Sequence, residues 1–181
     1  MDAIRAHTRP IPSLRHRIDR DRWVSIRPIE RADAAGLSDF YARLSPESRR
    51  RRFLGCGTRP DADLARVFTE GPGEGFVGIL DEPGVNDGAL VAHASVQPDG
   101  EDSAEIAFAV ADELQGQGIG KALLEAVVQH ARQVGLRRLN AMLFADNVPM
   151  RRLLRNAGCE IHADAVALGV EEIALDLGGL R

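Results

Sequence analysis

Residues 104–121, with the sequence AEIAFAVADELQGQGIGK, contain the groups best suited to chemistry in this chain. Alternating residues predict a strand over Ala104–Val110, and the glycine-rich turn Gln115–Gly120 leads into a helical pattern that begins at Gly118. The first N–H groups of a helix have no intrahelical partner, and the helix dipole adds partial positive charge. With Lys121 close by, the segment favours an anion-binding turn, although an ordinary strand-to-helix turn can contain the same glycines.

Two familiar phosphate-binding motifs do not fit this turn. The P-loop motif G-x-x-x-x-G-K-[ST] would need a glycine in place of Gln115 and a hydroxyl residue in place of Ala122. The dinucleotide motif G-x-G-x-x-G would need a third glycine in place of Lys121. This turn therefore supports neither an ATPase nor a nicotinamide-dependent enzyme.

Glu105 is a candidate for proton transfer within the same segment. On the predicted strand it shares a face with Ala107 and Ala109, whose small side chains would leave room for a ligand. A solvent-facing glutamate on a half-exposed strand has the same periodicity. The pattern therefore leaves both interpretations open.

The other reactive side chains form no recognisable metal or nucleophilic site. The five histidines lack ligand spacing, and His93 and His130 fall inside apolar patterns that favour packing. Cys56 has no neighbouring His or Asp at the spacing of a catalytic pair, and Cys159 is typical of a small core residue. We therefore predict no metal site.

Composition narrows the class of protein further. A chain of 181 residues, 44% hydrophobic and 28% charged, is typical of one soluble globular domain. No apolar run approaches the ~18 residues of a membrane span, and no apolar stretch follows the N-terminal arginines as in a secretory signal. Two distant cysteines fit a reducing compartment, so we expect a cytoplasmic protein without a membrane partner.

The net charge of −4 conceals an uneven distribution along the chain. Residues 1–60 carry 14 arginines and 7 acidic residues, whereas residues 61–130 carry 14 acidic residues and only two basic ones. Such an acidic segment would attract a cationic acceptor and repel nucleic acid, unless its charges lie on unrelated loops. We expect no nucleic-acid partner.

The strand, turn and helix need a sheet to position them. Further strands are predicted at 23–29, 75–80, 89–96, 139–144, 159–162 and 170–177, and helices at 33–44, from 45 onward, at 61–69, at 118–134 and from 147 to 158. This order predicts an α+β fold, with a mixed central β-sheet and helices on both faces. Residues 1–22 show no sustained period and are predicted to be an N-terminal arm or tail, which leaves 23–181 as a single domain.

Several motifs resemble the GNAT superfamily of N-acetyltransferases. The turn Gln115–Gly120 matches its acyl-CoA signature Q/R-x-x-G-x-G/A. The pattern Asn147-x-x-Met150-x-x-Leu153, followed by Ala157-Gly158, is similar to its second cofactor helix. The stretches IRPIERADA and LSPESRRRRF resemble the opening of the bacterial protein-lysine acetyltransferase (Pat-like) branch. The resemblance covers residues 23–177 and implies a GNAT-type domain with acetyl-CoA as co-substrate.

The resemblance also implies roles for individual residues. The backbone of Phe108, Ala109 and Val110 would pair with the pantetheine arm as though it were an added strand. The signature would hold the pyrophosphate through Gln115, Gly116, Gln117, Gly118, Ile119, Gly120 and Lys121. Asn147 would bond the pantetheine end or the thioester region. Arg151, together with Arg152 and Arg155, would reach the nucleotide phosphates or form a solvated basic face, and Glu105, in the context A-E-x-A, would be the general base.

One position departs from the family pattern. Many members have a tyrosine that protonates the departing CoA thiolate, where this chain has Leu154, and its only tyrosine, Tyr41, is distant in sequence. The resemblance thus implies an N-acetyltransferase with no identified general acid. We expect acetyl transfer to a protein lysine by direct attack. The alternatives are acetylation of a small amine (a polyamine, an amino acid or an antibiotic) and a non-catalytic acyl-CoA-binding sensor.

Overall fold

The computed structural model describes residues 13–55, 62–81, 88–158, 160–165 and 167–178. Eight strands form one mixed sheet in the order β1-β2-β3-β4-β5-β6-β8-β7. The strands are β1 Leu14–Arg17, β2 Trp23–Pro28, β3 Glu74–Asp81, β4 Leu90–Pro98, β5 Ser103–Val110, β6 Arg138–Phe144, β7 Glu160–Ala165 and β8 Val170–Asp176. The helices are α1 Ala34–Arg43, α2 Pro46–Arg52, α3 Ala62–Glu70, α4 Ile119–Gln133 and α5 Val148–Arg155, with 3-10 turns at Arg31–Asp33, Asp112–Leu114 and Ala167–Gly169.

Helices pack on both faces of this sheet, as predicted. On one face of β4, His93 meets Tyr41 of α1. On the opposite face, Phe76 of β3 packs edge-on against His130 of α4. Because both faces are covered, β4 is buried without interruption from Leu90 to Val96. The predicted α+β fold is confirmed.

The long helix α4 follows the predicted pattern closely. Its apolar side chains at Ile119, Leu123 and Val127, which are spaced for one helical face, are almost fully buried. Left-handed glycines stand at both of its ends, Gly118 with φ 85° and Gly135 with φ 84°. Glycine adopts this conformation without the steric cost that a Cβ would add, so the sequence fixes where the helix begins and ends.

The first strand was not predicted. Residues 14–17 fall within the predicted arm, yet they pair antiparallel with β2, from Leu14 opposite Ile26 to Arg17 opposite Trp23. The sequence LRHR has no apolar alternation because this edge strand is mostly exposed. Residues 1–12 of the predicted arm lie outside the described residues, as do Cys56 and Cys159.

Tyr41 and His93 form a polar pair inside the core. The Tyr41 hydroxyl and His93 Nδ1 share a hydrogen bond of 2.7 Å, and both side chains are buried. Burial, together with the charge of Arg52, lowers the pKa of His93 well below its ordinary value, so the imidazole is neutral. The prediction that His93 is packed in the core is confirmed.

This pair makes a prediction about stability and pH. Below pH ~6.5 the unfolded chain protonates His93 whereas the folded protein does not, so acidification must lower the free energy of unfolding. Replacing His93→Leu should remove this contribution, which is at most about 1.4 kcal/mol per pH unit. Urea unfolding at pH 7.5, 6.5 and 5.5 measures the slope, with the exposed His162→Gln as control. Equal slopes in wild type and His93→Leu would contradict the prediction.

Candidate active site

The central feature of the site is a split in the sheet between β5 and β6. These parallel strands pair only from Ser103 opposite Arg138 to Glu105 opposite Asn140. Beyond this point β5 remains paired with β4 and β6 remains paired with β8. The two strands therefore separate, and the backbone groups that β5 turns toward β6 over residues 106–110 have no partner strand.

A cavity of about 340 Å³ lies in this split, and four parts of the chain line it. Strands β5 and β6 supply Ile106–Val110, Met142 and Leu143, and helix α2 supplies Ser48, Arg51 and Arg52. The glycine turn and the start of α4 supply Leu114–Gly116 and Gly118–Lys121, and α5 with its cap supplies Asn147, Pro149, Met150 and Leu153. Thus ten of the predicted cofactor residues meet in one place: Phe108, Ala109, Val110, Gln115, Gly116, Gly118, Ile119, Gly120, Lys121 and Asn147.

The glycine turn presents unpaired N–H groups. The first hydrogen bond of α4 runs from Ala122 N–H to the Gly118 carbonyl, at 3.1 Å. The N–H groups of residues 119–121 therefore have no intrahelical acceptor, and Gly118 has no side chain to cap them. Together with the helix dipole, they make this end of the cavity suited to an anion.

Gln115 and Asp112 join the turn to α2. Gln115 Nε2 donates to the Val110 carbonyl and to the Ser48 hydroxyl, each at 3.1 Å. Asp112 accepts from the Ser48 hydroxyl (2.7 Å) and from both the hydroxyl and the N–H of Ser45 (2.8 and 2.9 Å). Burial raises the pKa of Asp112, but these hydrogen bonds outweigh it and leave the pKa below its ordinary value. The carboxylate is therefore charged at neutral pH.

Glu105 stands at the closed end of the split. It is the last β5 residue paired with β6, opposite Asn140, and its side chain is exposed. It does not line the cavity itself, but it shares a strand face with Ala107 and Ala109, which do. The carboxylate is thus accessible from solvent next to the end of the cavity wall.

Two predicted cofactor residues have side chains engaged elsewhere. Arg151 donates from Nε to Glu171 at 2.8 Å and from a terminal nitrogen to the Ala145 carbonyl at 2.5 Å, so its guanidinium faces β8 rather than the cavity. Gln117 Nε2 donates to the Glu113 carbonyl at 3.2 Å. Neither residue lines the cavity.

Helix α2 contributes cavity residues that the sequence analysis did not assign. Arg52 donates to the Ser95 hydroxyl at 2.8 Å, and its guanidinium lies 5.0 Å from the ring centre of Phe53. Arg51 donates to Glu47 at 2.6 Å. The spacing of residues 48, 51 and 52 could have indicated that α2 contributes them together to one site, because residues three and four apart lie on one face of a helix.

Within the described residues, no helix is long and apolar enough to cross a membrane. The same residues contain no group of three or more His, Cys, Asp or Glu side chains that could hold a metal ion.

Comparison with known proteins identifies this arrangement. The sequence model of the Acetyltransferase (GNAT) family matches residues 37–159. The chain belongs to the GNAT family of acetyltransferases. A curated relative, the Acetyltransferase Pat of Mycolicibacterium smegmatis, is 31% identical over 138 residues, which are 75% of this chain and 41% of that protein. The GNAT chain thus spans less than half the length of this relative.

Solved structures agree with this assignment. The GNAT domain of S. lividans PAT superposes with a TM-score of 0.71 at 28% identity, covering 85% of this chain and 90% of that chain. A phosphinothricin acetyltransferase from Sinorhizobium meliloti, solved in complex with acetyl-CoA, has the same fold, with a TM-score of 0.64 at 23% identity over 86% of this chain and 89% of that one. The predicted GNAT resemblance and its Pat-like branch are confirmed.

The glycine turn generates a prediction for cofactor binding. Gly116 has φ 77° and no neighbouring atom within 4 Å of its Cβ position, so Gly116→Asp adds a negative charge at the anion site without contacting a neighbour, although the left-handed backbone is strained for a residue with a Cβ. We expect acetyl-CoA to raise the melting temperature of wild type and to have little effect on this variant. Gly135→Asp, with φ 84° and equally open surroundings at the other end of α4, is the matched control. An undiminished shift in Gly116→Asp would remove the turn from the cofactor site.

Proposed function

We propose that this GNAT enzyme transfers the acetyl group of acetyl-CoA to a lysine side chain of a protein by direct attack. The observation that carries the proposal is the order of groups along the split. An exposed carboxylate stands at its closed end, an unpaired strand edge follows, and an anion-binding turn lies at its open end. Acetyl-CoA has the same order: an acetyl thioester, an extended arm with amide groups, and a pyrophosphate.

The strand edge suits the pantetheine arm. Backbone polar groups in a buried position need partners, and an extended chain with amides can supply them as an added strand. The residues we assign to this contact are Phe108, Ala109 and Val110. The Val110 carbonyl already accepts from Gln115, which limits how far the arm extends as a strand before the turn takes over.

The turn and α5 would hold the rest of the cofactor. We assign the pyrophosphate to the N–H groups of residues 116–121 and the charge of Lys121. Asn147 caps α5, with its Oδ1 accepting from Met150 N–H at 3.3 Å, and its remaining amide hydrogens would be available to the pantetheine or thioester. We make no phosphate assignment for Arg151, because its guanidinium is bound to Glu171.

A lysine acceptor needs a base. A free lysine amine has a pKa near ~10.4, so forming its neutral state at pH 7 costs about 4–5 kcal/mol. In the proposed reaction Glu105 takes one proton from the lysine ammonium, directly or through a water, and the neutral amine nitrogen attacks the thioester carbon. The carbon–sulfur bond then breaks, and the attacking nitrogen loses its second proton to solvent. The product is the acetylated amine, and CoA leaves as a thiolate.

The charge around the closed end supports a cationic acceptor. Asp99, Glu101 and Asp102 immediately precede β5 and are all exposed, as is Glu105. These carboxylates would attract a lysine-bearing segment toward the end of the split where the acetyl group is proposed to lie. The similarity to a relative named Acetyltransferase Pat favours the same branch.

The first test replaces the proposed base. Glu105→Gln is nearly isosteric and should lower turnover by ~10²–10⁴-fold with little change in acetyl-CoA affinity. The wild-type pH–rate curve should rise through one ionisation and then level, since no side-chain acid is assigned. Glu160→Gln, an exposed acid on β7, is the control. Near-normal turnover in Glu105→Gln would overturn the base assignment.

The second test identifies the acceptor. Release of free CoA should be fastest with lysine peptides, and their kcat/KM should fall between 0.1 and 1 M salt, where the Debye length shrinks from ~10 to ~3 Å. Neutralising two of the carboxylates that precede β5, with Glu101→Gln and Asp102→Asn, should make kcat/KM less dependent on salt. Faster CoA release with a polyamine, an amino acid or an antibiotic would instead favour a small-amine acetyltransferase. Acetyl-CoA binding without turnover on any amine would indicate a sensor.

A further inference from the structure

A side chain from the edge strand β1 touches the cofactor turn. His16 Nε2 lies 2.8 Å from the carbonyl oxygen of Gln117, and because a carbonyl only accepts, Nε2 is the donor. A Cβ built on Gly118 would lie 3.0 Å from two atoms of the same ring, so the imidazole covers that glycine. We propose that His16 is a positioning residue for the pyrophosphate-binding turn, an inference that rests on the function proposed above.

The contact fixes one peptide plane of the turn. The Gln117 carbonyl and the Gly118 N–H belong to the same peptide group, which is trans, so they point in opposite directions. His16 holds the carbonyl on the β1 side. The Gly118 N–H is thereby directed away from β1, and Gly118 lines the cavity whereas His16 does not.

This turn needs such support because its own backbone is permissive. Gly116 and Gly118 both have positive φ, and glycine reaches many other conformations at little cost. If a flexible turn becomes ordered only when its ligand binds, the entropy lost in ordering the turn weakens its affinity for that ligand. His16 restricts the peptide beforehand, so its contribution should appear as tighter binding of the group that the turn holds.

His16 itself is held on a fixed element. Strand β1 pairs with β2 through His16 opposite Val24. Its neighbours Arg15 and Arg17 lie over the ring of Trp23, at 5.1 and 5.5 Å, on the opposite face of the strand. The family match begins at residue 37, so His16 lies outside the matched residues, whereas Gln117 and Gly118 lie within them.

The test compares two acetyl donors that differ at the proposed contact. S-acetylpantetheine has the acetyl thioester and the arm of acetyl-CoA but ends before the pyrophosphate. His16→Phe keeps a ring over Gly118 and removes the donor. We expect it to raise the KM for acetyl-CoA about three- to ten-fold, the effect of one hydrogen bond, while kcat and the KM for S-acetylpantetheine stay unchanged.

Two further variants separate positioning from a structural role. His16→Gln retains a donor at the Nε2 position and should restore most of the acetyl-CoA affinity. Arg17→Gln, on the same strand with its side chain on the other face, should change neither KM. Melting temperatures without ligand report any general loss of stability, which would raise both KM values together.

The outcomes distinguish this inference from the proposed function. Unchanged KM values for both donors in His16→Phe, or equal increases for both, would overturn the role of His16. A wild-type enzyme that uses the two donors with the same KM would show that no pyrophosphate is bound at the turn, and the proposed cofactor placement would fail. A selective increase for acetyl-CoA, reversed in His16→Gln, would support both.

Discussion

The early end of pairing between β5 and β6 is the constraint on which the site depends. Each strand is anchored on its outer side, β5 to β4 as far as Val110 opposite Ala92 and β6 to β8 as far as Phe144 opposite Val170. Neither strand can move to close the gap without breaking a ladder of backbone hydrogen bonds, each of which is costly to leave unmade. The split is therefore a stable feature of the fold, and its unpaired edge is left for an extended ligand rather than for another strand.

The same gap explains why α2 and the glycine turn are joined. Both elements flank the open part of β5, and neither is a strand of the sheet. Asp112, Ser48 and Gln115 connect them through charge-assisted and neutral hydrogen bonds, and Gln115 also reaches the Val110 carbonyl at the strand edge. In the proposed enzyme this places helix α2 and the cofactor turn on one network, so neither can shift without disturbing the other.

Local patterns predicted most of this fold but not the split. Helix α4 and the buried strand β4 follow from periodicity and residue type. Strand pairing is a non-local property, and nothing in the sequence of Ala104–Val110 indicates where its pairing with β6 stops. Strand β1 was missed because an exposed edge strand lacks alternation, and the direction of Arg151 was undetermined because Glu171 lies 20 residues away in sequence.

The proposed reaction tolerates the absence of a tyrosine acid, because protonating the leaving thiolate matters less than deprotonating the acceptor amine. Leu154 is fully buried, and Tyr41 is buried against His93 and does not line the cavity, so neither supplies a proton to the leaving sulfur. A thiol with a pKa near ~8.5 gives a thiolate that lies only about 2 kcal/mol above its protonated form at pH 7, compared with about 4–5 kcal/mol to deprotonate a lysine amine. The larger barrier is therefore at the acceptor, where an exposed carboxylate is present. In the proposed reaction a base at Glu105 therefore lowers the barrier more than an acid at the position of Leu154 would, and solvent protonates the thiolate.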